Sequence, residues 1–212
     1  MQESSTTLKA FSYPKQLVKA HYWEEAPADF CRDVHKSHHR RESEPPSQNA
    51  TLYSAPLSGI LNWLNGLKNP EIPEEKPCAS PLLLYGDGLS FDSLLFHYQG
   101  TPGSAQLIRR FVELFETNIS NSSATIISPG FIPKSKIKEE QDLIQLISGN
   151  TSETSFIKFN FNKIGEFWAY AVKHGCTLFV TSKDYQADLA NVLSHFYKGE
   201  MRYRKLSFYL AL

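Results

Sequence analysis

The sequence predicts an α/β protein, with a mainly parallel sheet of about five strands covered by helices on both faces and a proline-rich, partly helical region before it. Three observations carry that reading. From residue 80 onward short β-type runs alternate with helical segments. A parallel return needs a long crossover, which a helix supplies. From Glu42 to Pro81 the prolines crowd together, at Pro45, Pro46, Pro56, Pro70, Pro73, Pro77 and Pro81. Each removes a backbone donor and biases its predecessor away from the helix. Residues 1–79 are therefore read as an N-terminal appendage and residues 80–212 as the α/β domain.

Within the appendage two helices are expected, at Phe30 to Arg41 and at Ser58 to Leu67. The second carries an apolar stripe of Ile60, Leu61, Trp63, Leu64 and Leu67 that needs a surface to cover it. Pro81 to Tyr85 reads as a buried strand ending in the turn Gly86-Asp87-Gly88. Leu89 to Gln99 is open between a helix capped by Ser90 and a strand pairing back on the first. Thr101-Pro102-Gly103 introduces a helix to about Glu116, with Ile108, Phe111, Val112 and Phe115 inward. Ala124 to Ser128 is a strand stopped by Pro129-Gly130, and a helix follows from Ser135 to Ile147.

Ser155 to Phe161 alternates, with Ile157, Phe159 and Phe161 on one face and Lys158 and Asn160 on the other, as a half-buried strand near a sheet edge does. Asn162 is expected to cap a helix carrying Ile164, Phe167, Trp168, Ala171 and Val172, ended by Gly175. Cys176 to Thr181 is the next strand. Ser182 or Asp184 starts a last helix with Leu189, Val192, Leu193 and Phe196, and Arg202 to Leu210 closes the sheet.

The 212 residues hold 22 Lys+Arg against 22 Asp+Glu and are 41% hydrophobic, which excludes collagenous, coiled-coil and wholly disordered classes. Balanced charge gives no whole-protein field to draw in nucleic acid or acidic lipid, so any such partner needs a local patch. Nucleic acid is not expected as a partner, although HKSHHRR (35–41), Lys198, Arg202, Arg204 and Lys205 are basic. No apolar run approaches the ~18 residues of a membrane span. Three scattered cysteines, Cys31, Cys78 and Cys176, read as thiols, and with no secretory signal at the start the expected location is the cytoplasm.

If all crossovers share the usual hand, the strand-to-helix loops open on one edge, where ligands of open α/β sheets bind. That gathers Gly86, Asp87 and Gly88, Ser128 and Gly130, Asn160 and Asn162, and Thr181, Ser182, Lys183 and Asp184. Glycine lets a backbone approach an anion, a lysine adds charge, and Asp87 would act as base or hold a divalent metal. Neither Gly-x-x-x-x-Gly-Lys nor Gly-x-Gly-x-x-Gly follows any strand. A second constellation, Cys31, His35 and His38, stands at i, i+4 and i+7 on one helix face and would suit zinc, with Glu24, Asp29 or water as fourth ligand. Asp92, His97, His174 and the Glu139-Glu140 pair show no nucleophile–base spacing.

The block LLLYGDGLSFD resembles the opening block of the SGNH (GDSL-type) hydrolases, in which a Gly-Asp-Ser-Leu turn presents a nucleophilic serine. Gly88 stands at the serine position and the later Asp-x-x-His pattern has no counterpart near the C-terminus, so the resemblance implies no nucleophile in this chain. The expected function is that of a non-catalytic interaction or regulatory protein, with the proline-rich third as its docking surface for a protein partner. The alternative is an enzyme or ligand-binding domain for a phosphorylated or anionic small molecule at the C-terminal strand ends.

Overall fold

In the computed structural model, residues 23–25, 52–57, 81–86, 88–185, 188–189, 191–193 and 206–211 are described. In chain order the strands and main helices are β1 (Trp23–Glu25), β2 (Leu52–Pro56), β3 (Leu82–Tyr85), β4 (Ser93–His97), α1 (Pro102–Ile119), β5 (Ser123–Ser128), α2 (Ile137–Asn150), β6 (Glu153–Lys158), α3 (Ile164–Lys173), β7 (Leu178–Ser182) and β8 (Ser207–Ala211). Single 3-10 turns, Lys134–Lys136 and Lys183–Tyr185, follow the β5 and β7 ends. Residues 188–189 and 191–193 are helical.

All eight strands form one sheet in the order β1-β2-β3-β8-β7-β4-β5-β6. From β8 to β6 every pairing is parallel. The chain winds outward from β4 through α1, β5 and α2 to β6, then returns through α3 to β7 on the other side of β4. That is a doubly wound α/β sheet, as expected, and its winding reverses between β4 and β7. The expected edge position of the Ser155–Phe161 region holds, because β6 ends the sheet.

Period-two alternation sorts the strand side chains onto two cores. Leu94, Phe96, Ala124, Ile126, Leu178, Val180 and Tyr209 meet Phe111 and Phe115 of α1 and Leu143 and Ile147 of α2. Leu95, Ile127, Phe179, Phe208 and Leu210 meet Ile164, Phe167 and Ala171 of α3 with Leu189 and Leu193. Helices thus cover both faces. Thr101 caps α1 reciprocally with Ser104, whose amide donates to Thr101 Oγ1 at 3.2 Å. The expected Asn162 cap on α3 is replaced: Glu166 Oε2 accepts from the amides of Asn162 and Lys163 at 2.8 and 2.9 Å. Those amides hold its carboxyl below the usual range.

Two expectations change. Leu89 to Gln99 is neither a capped helix nor the return strand of a hairpin; its strand β4 pairs in parallel with β5 and β7 and is separated from β3 by β8 and β7. β3 pairs antiparallel with β8, so the 86–92 connection runs beneath the starts of β8 and β7. Ser207 Oγ accepts from the Gly86 amide at 3.2 Å, and the Ser93 amide donates to Thr177 Oγ1 at 3.0 Å. The proline-rich region also contributes strands: β2 pairs in parallel with β3, and β1 with β2, so the expected boundary at 79/80 falls between paired strands of one sheet. The helices expected at Phe30 to Arg41 and Ser58 to Leu67 lie outside the described residues.

Phe111 is in ring contact with Phe96, Phe115 and Tyr209, at centroid distances of 5.4, 4.9 and 5.1 Å. Phe111→Ala removes the piece common to a helix and two strands and is expected to destabilise the fold by about 3–5 kcal/mol, read as a lowered urea midpoint at unchanged slope.

Candidate functional site: the rim at the C-terminal ends of the parallel strands

The strand ends do not gather all the residues expected there. Because β3 runs against β8, Gly86 and Gly88 follow a strand that ends where β4, β7 and β8 begin. Ser128 and Ser182 end β5 and β7, and Gly130 and Lys183 follow them, at the other end, a strand length of about 15 Å away. The single crevice therefore divides: Gly86 and Gly88 do not share a rim with Ser128 or Lys183. The assumption that fails is that the first strand points the same way as the rest. Asp87 lies outside the described residues, as do Cys31, His35 and His38. Among the described residues no group of three or more His, Cys, Asp and Glu is placed to hold a metal.

At the rim that remains, the polar groups answer one another. Ser128, buried at the end of β5, donates its hydroxyl to Glu140 Oε1 in the first turn of α2. Lys158, at the end of β6, reaches the same carboxylate oxygen at 2.5 Å and Ser128 Oγ at 3.3 Å. Burying a carboxylate is tolerable only with such partners. The Gly130 amide donates to Asn160 Oδ1 at 2.8 Å, and a Cβ at that glycine would stand 2.7 Å from the same oxygen. This amide is thereby occupied by the neighbouring loop. Ser182 Oγ donates to Asp184 Oδ2 at 2.7 Å and accepts from the Asp184 amide. Lys183 is buried behind it.

The reversal point between β4 and β7 holds a group that showed no catalytic spacing in the sequence. His97 is buried at the end of β4, its Nδ1 3.0 Å from Thr181 Oγ1 on β7, its ring 3.9 Å from that of Phe167 and 5.2 Å from that of Tyr185. Burial lowers its pKa to about 4, so the imidazole is neutral at pH 7. Next to it Tyr98 donates to Glu139 Oε1 at 2.9 Å, and burial, then that bond, push its hydroxyl above its ordinary range. Gln99 Nε2 is buried with no hydrogen-bond partner.

Ser128, Thr181 and Ser182 were legible as strand-end residues. The Glu140–Lys158 pair was not, although Glu140 lies three, four and seven residues before Leu143, Ile144 and Ile147 and so shares their inward stripe. A charge within an apolar stripe was the available signal. The buried thiol of Cys176 is free, and burial raises its pKa, in keeping with an unreactive packing role.

No protein-family model and no curated protein matches the chain. Among solved structures, it is similar to the crystal structure of a universal stress protein from Archaeoglobus fulgidus DSM 4304, with a TM-score of 0.45 and 9% sequence identity. The match covers 78% of this chain and 62% of that one, so the chain spans less than two thirds of that protein's length.

The neutral His97 gives a pH signature. Its folded pKa of about 4 lies below the unfolded 6.5, so the unfolded chain takes up the proton first as pH falls. The stability that His97 contributes by remaining neutral is complete above pH 6.5 and declines as the pH falls toward 4, by about 3 kcal/mol in all. His97→Asn should flatten this part of the profile in urea titrations at pH 7 and pH 5; an unchanged slope would remove His97 as its cause.

Proposed function

We propose that the chain is a non-catalytic interaction or regulatory protein, built as an α/β body that carries docking segments. The observation that supports this most is the mutual pairing of Ser128, Glu140 and Lys158, of Gly130 with Asn160 and of Ser182 with Asp184. A nucleophile, base or anion cradle must present free groups to a substrate, and these groups are already engaged. The proline-rich segment between Glu42 and Pro81 outside the sheet strand β2, with its Ile60, Leu61, Trp63, Leu64 and Leu67 stripe, is the proposed contact for a protein partner. No helix among the described residues is long and apolar enough to cross a membrane, and the cytoplasm is the proposed location. Cross-linking of the full chain at near-native expression should give partner cross-links concentrated in residues 42–81. Cross-links spread evenly over the surface would overturn the reading.

A second reading, a site for a phosphorylated or anionic small molecule at the strand ends, is favoured by one observation. The amide Nε2 of Gln99 is buried without a partner directly after β4, beside the reversal of the winding. An orphaned amide costs about 1–3 kcal/mol, which a ligand accepting a hydrogen bond from it would offset. Gln99→Leu should raise the stability of the free protein by about 1 kcal/mol. Under the first reading, nucleotides and phosphoesters leave the melting temperature of the parent chain unmoved. A shift that Gln99→Leu abolishes would establish the second.

A further inference from the structure

The large hydrophobic side chains left exposed among the described residues are three, and all follow β5 or β6: Phe131 and Ile137 on the way into and at the start of α2, and Phe159 beside Phe161 and Tyr170 on the α3 side. Phe131 is 85% exposed in the loop after β5, Ile137 is 42% exposed at the start of α2, and Phe159 is 41% exposed directly after β6. Scattered single residues of this kind need no explanation, but three at the ends of two neighbouring strands do. The two loops are tied together by the Gly130–Asn160 bond and by the Phe159 amide, which donates to Ser128 O at 2.9 Å. Lys158 and Glu140 brace them from below. Phe131 therefore projects from an anchored loop.

The same segments are rich in lysine. Residues 129–138 (PGFIPKSKIK) hold Lys134, Lys136 and Lys138 and no acid, and residues 158–163 (KFNFNK) hold Lys158 and Lys163 and no acid. Lys136 is 3.3 Å from Glu139 and Lys158 is paired with Glu140. Exposed Lys134 and Lys138 have no ion-pair partner among the described residues. Of the nearby acids, Glu139 and Glu140 are paired with Lys136 and Lys158 and Glu166 accepts from two backbone amides, while exposed Asp142 stands one turn after Lys138, farther along α2. A chain of zero net charge thus carries two exposed, unpaired lysines in the same segment as exposed Phe131 and Ile137.

We propose that this corner, formed by Phe131, Ile137 and Phe159 with Lys134 and Lys138, is a docking surface for an anionic lipid bilayer, the rings entering the headgroup layer while the lysines meet lipid phosphates and carboxylates. The inference goes beyond the proposed function and does not depend on it. Charge complementarity selects an acidic partner, and the apolar set selects lipid among acidic partners. Ile137 offers nothing to a stacked base, and a face of Phe159 is already taken by Phe161 at 4.9 Å and 19°. A protruding Phe131 suits a deformable headgroup layer better than a rigid protein pocket, which would need its own matching cavity. Weak insertion and weak attraction each give marginal binding alone and add when combined.

The test is co-sedimentation of the full chain with vesicles of phosphatidylcholine alone and of phosphatidylcholine with phosphatidylserine at two to one. Binding is expected only to the serine-containing vesicles and should weaken as salt rises. Phe131→Ala should lower the partition about tenfold. Lys134→Ala and Lys138→Ala should each lower it about fivefold. These positions are exposed, so unchanged melting temperatures will show that the variants fold. No sedimentation with serine-containing vesicles, equal binding to both vesicle types, or variants that bind like the parent would overturn the inference. So would retention of polyuridylate by a chain that ignores vesicles. A chain that ignores vesicles yet keeps partner cross-links in residues 42–81 overturns the lipid inference alone and leaves the interaction reading intact.

Discussion

Strand β4 is hydrogen-bonded in parallel on both sides, to β5 and to β7, and the rest of the architecture depends on that position. A strand flanked in this way has neither a free edge nor a wet face. Leu94 and Phe96 must be covered by α1, and Leu95 by residues on the opposite side, so the crossovers have to supply helices to both. The same burial governs His97. At the end of a doubly covered strand an imidazolium has no solvent to stabilise it, so the ring stays neutral, held by Thr181 and the aromatic face of Phe167.

The rim shows a second consequence of burial. Ser128 and Glu140 point inward and would be costly alone, but each supplies what the other lacks and Lys158 neutralises the pair. Such closure ties the ends of β5 and β6 to the start of α2. It also fixes the two loops from which Phe131 and Phe159 emerge, so the apolar tip lies beyond a polar clasp. Rigid support for an exposed apolar group lowers the entropy lost when that group is covered.

The N-terminal strands extend the sheet with reversed polarity. Antiparallel pairing of β3 with β8 sends the chain back to the end where β4 starts, which allows the seven residues 86–92 to pass beneath two strands without a helix. The passage is anchored at its start, where the Gly86 amide donates to Ser207 Oγ.

Local pattern was sufficient for much of the domain. The Thr101-Pro102 start of α1, the inward Phe111 and Phe115, the Ala124–Ser128 strand, the α3 stripe and the edge character of the 155–161 region are all legible because period and capping are properties of neighbouring residues. Strand direction is different in kind. Whether the residues after Tyr85 stand beside Ser128 or a strand length away depends on which partner β3 chooses, and that partner, β8, lies more than a hundred residues along the chain. For the same reason Glu140 could be recognised as an inward acid but not as the partner of Ser128 and Lys158, since three separate elements must first be packed before those atoms meet.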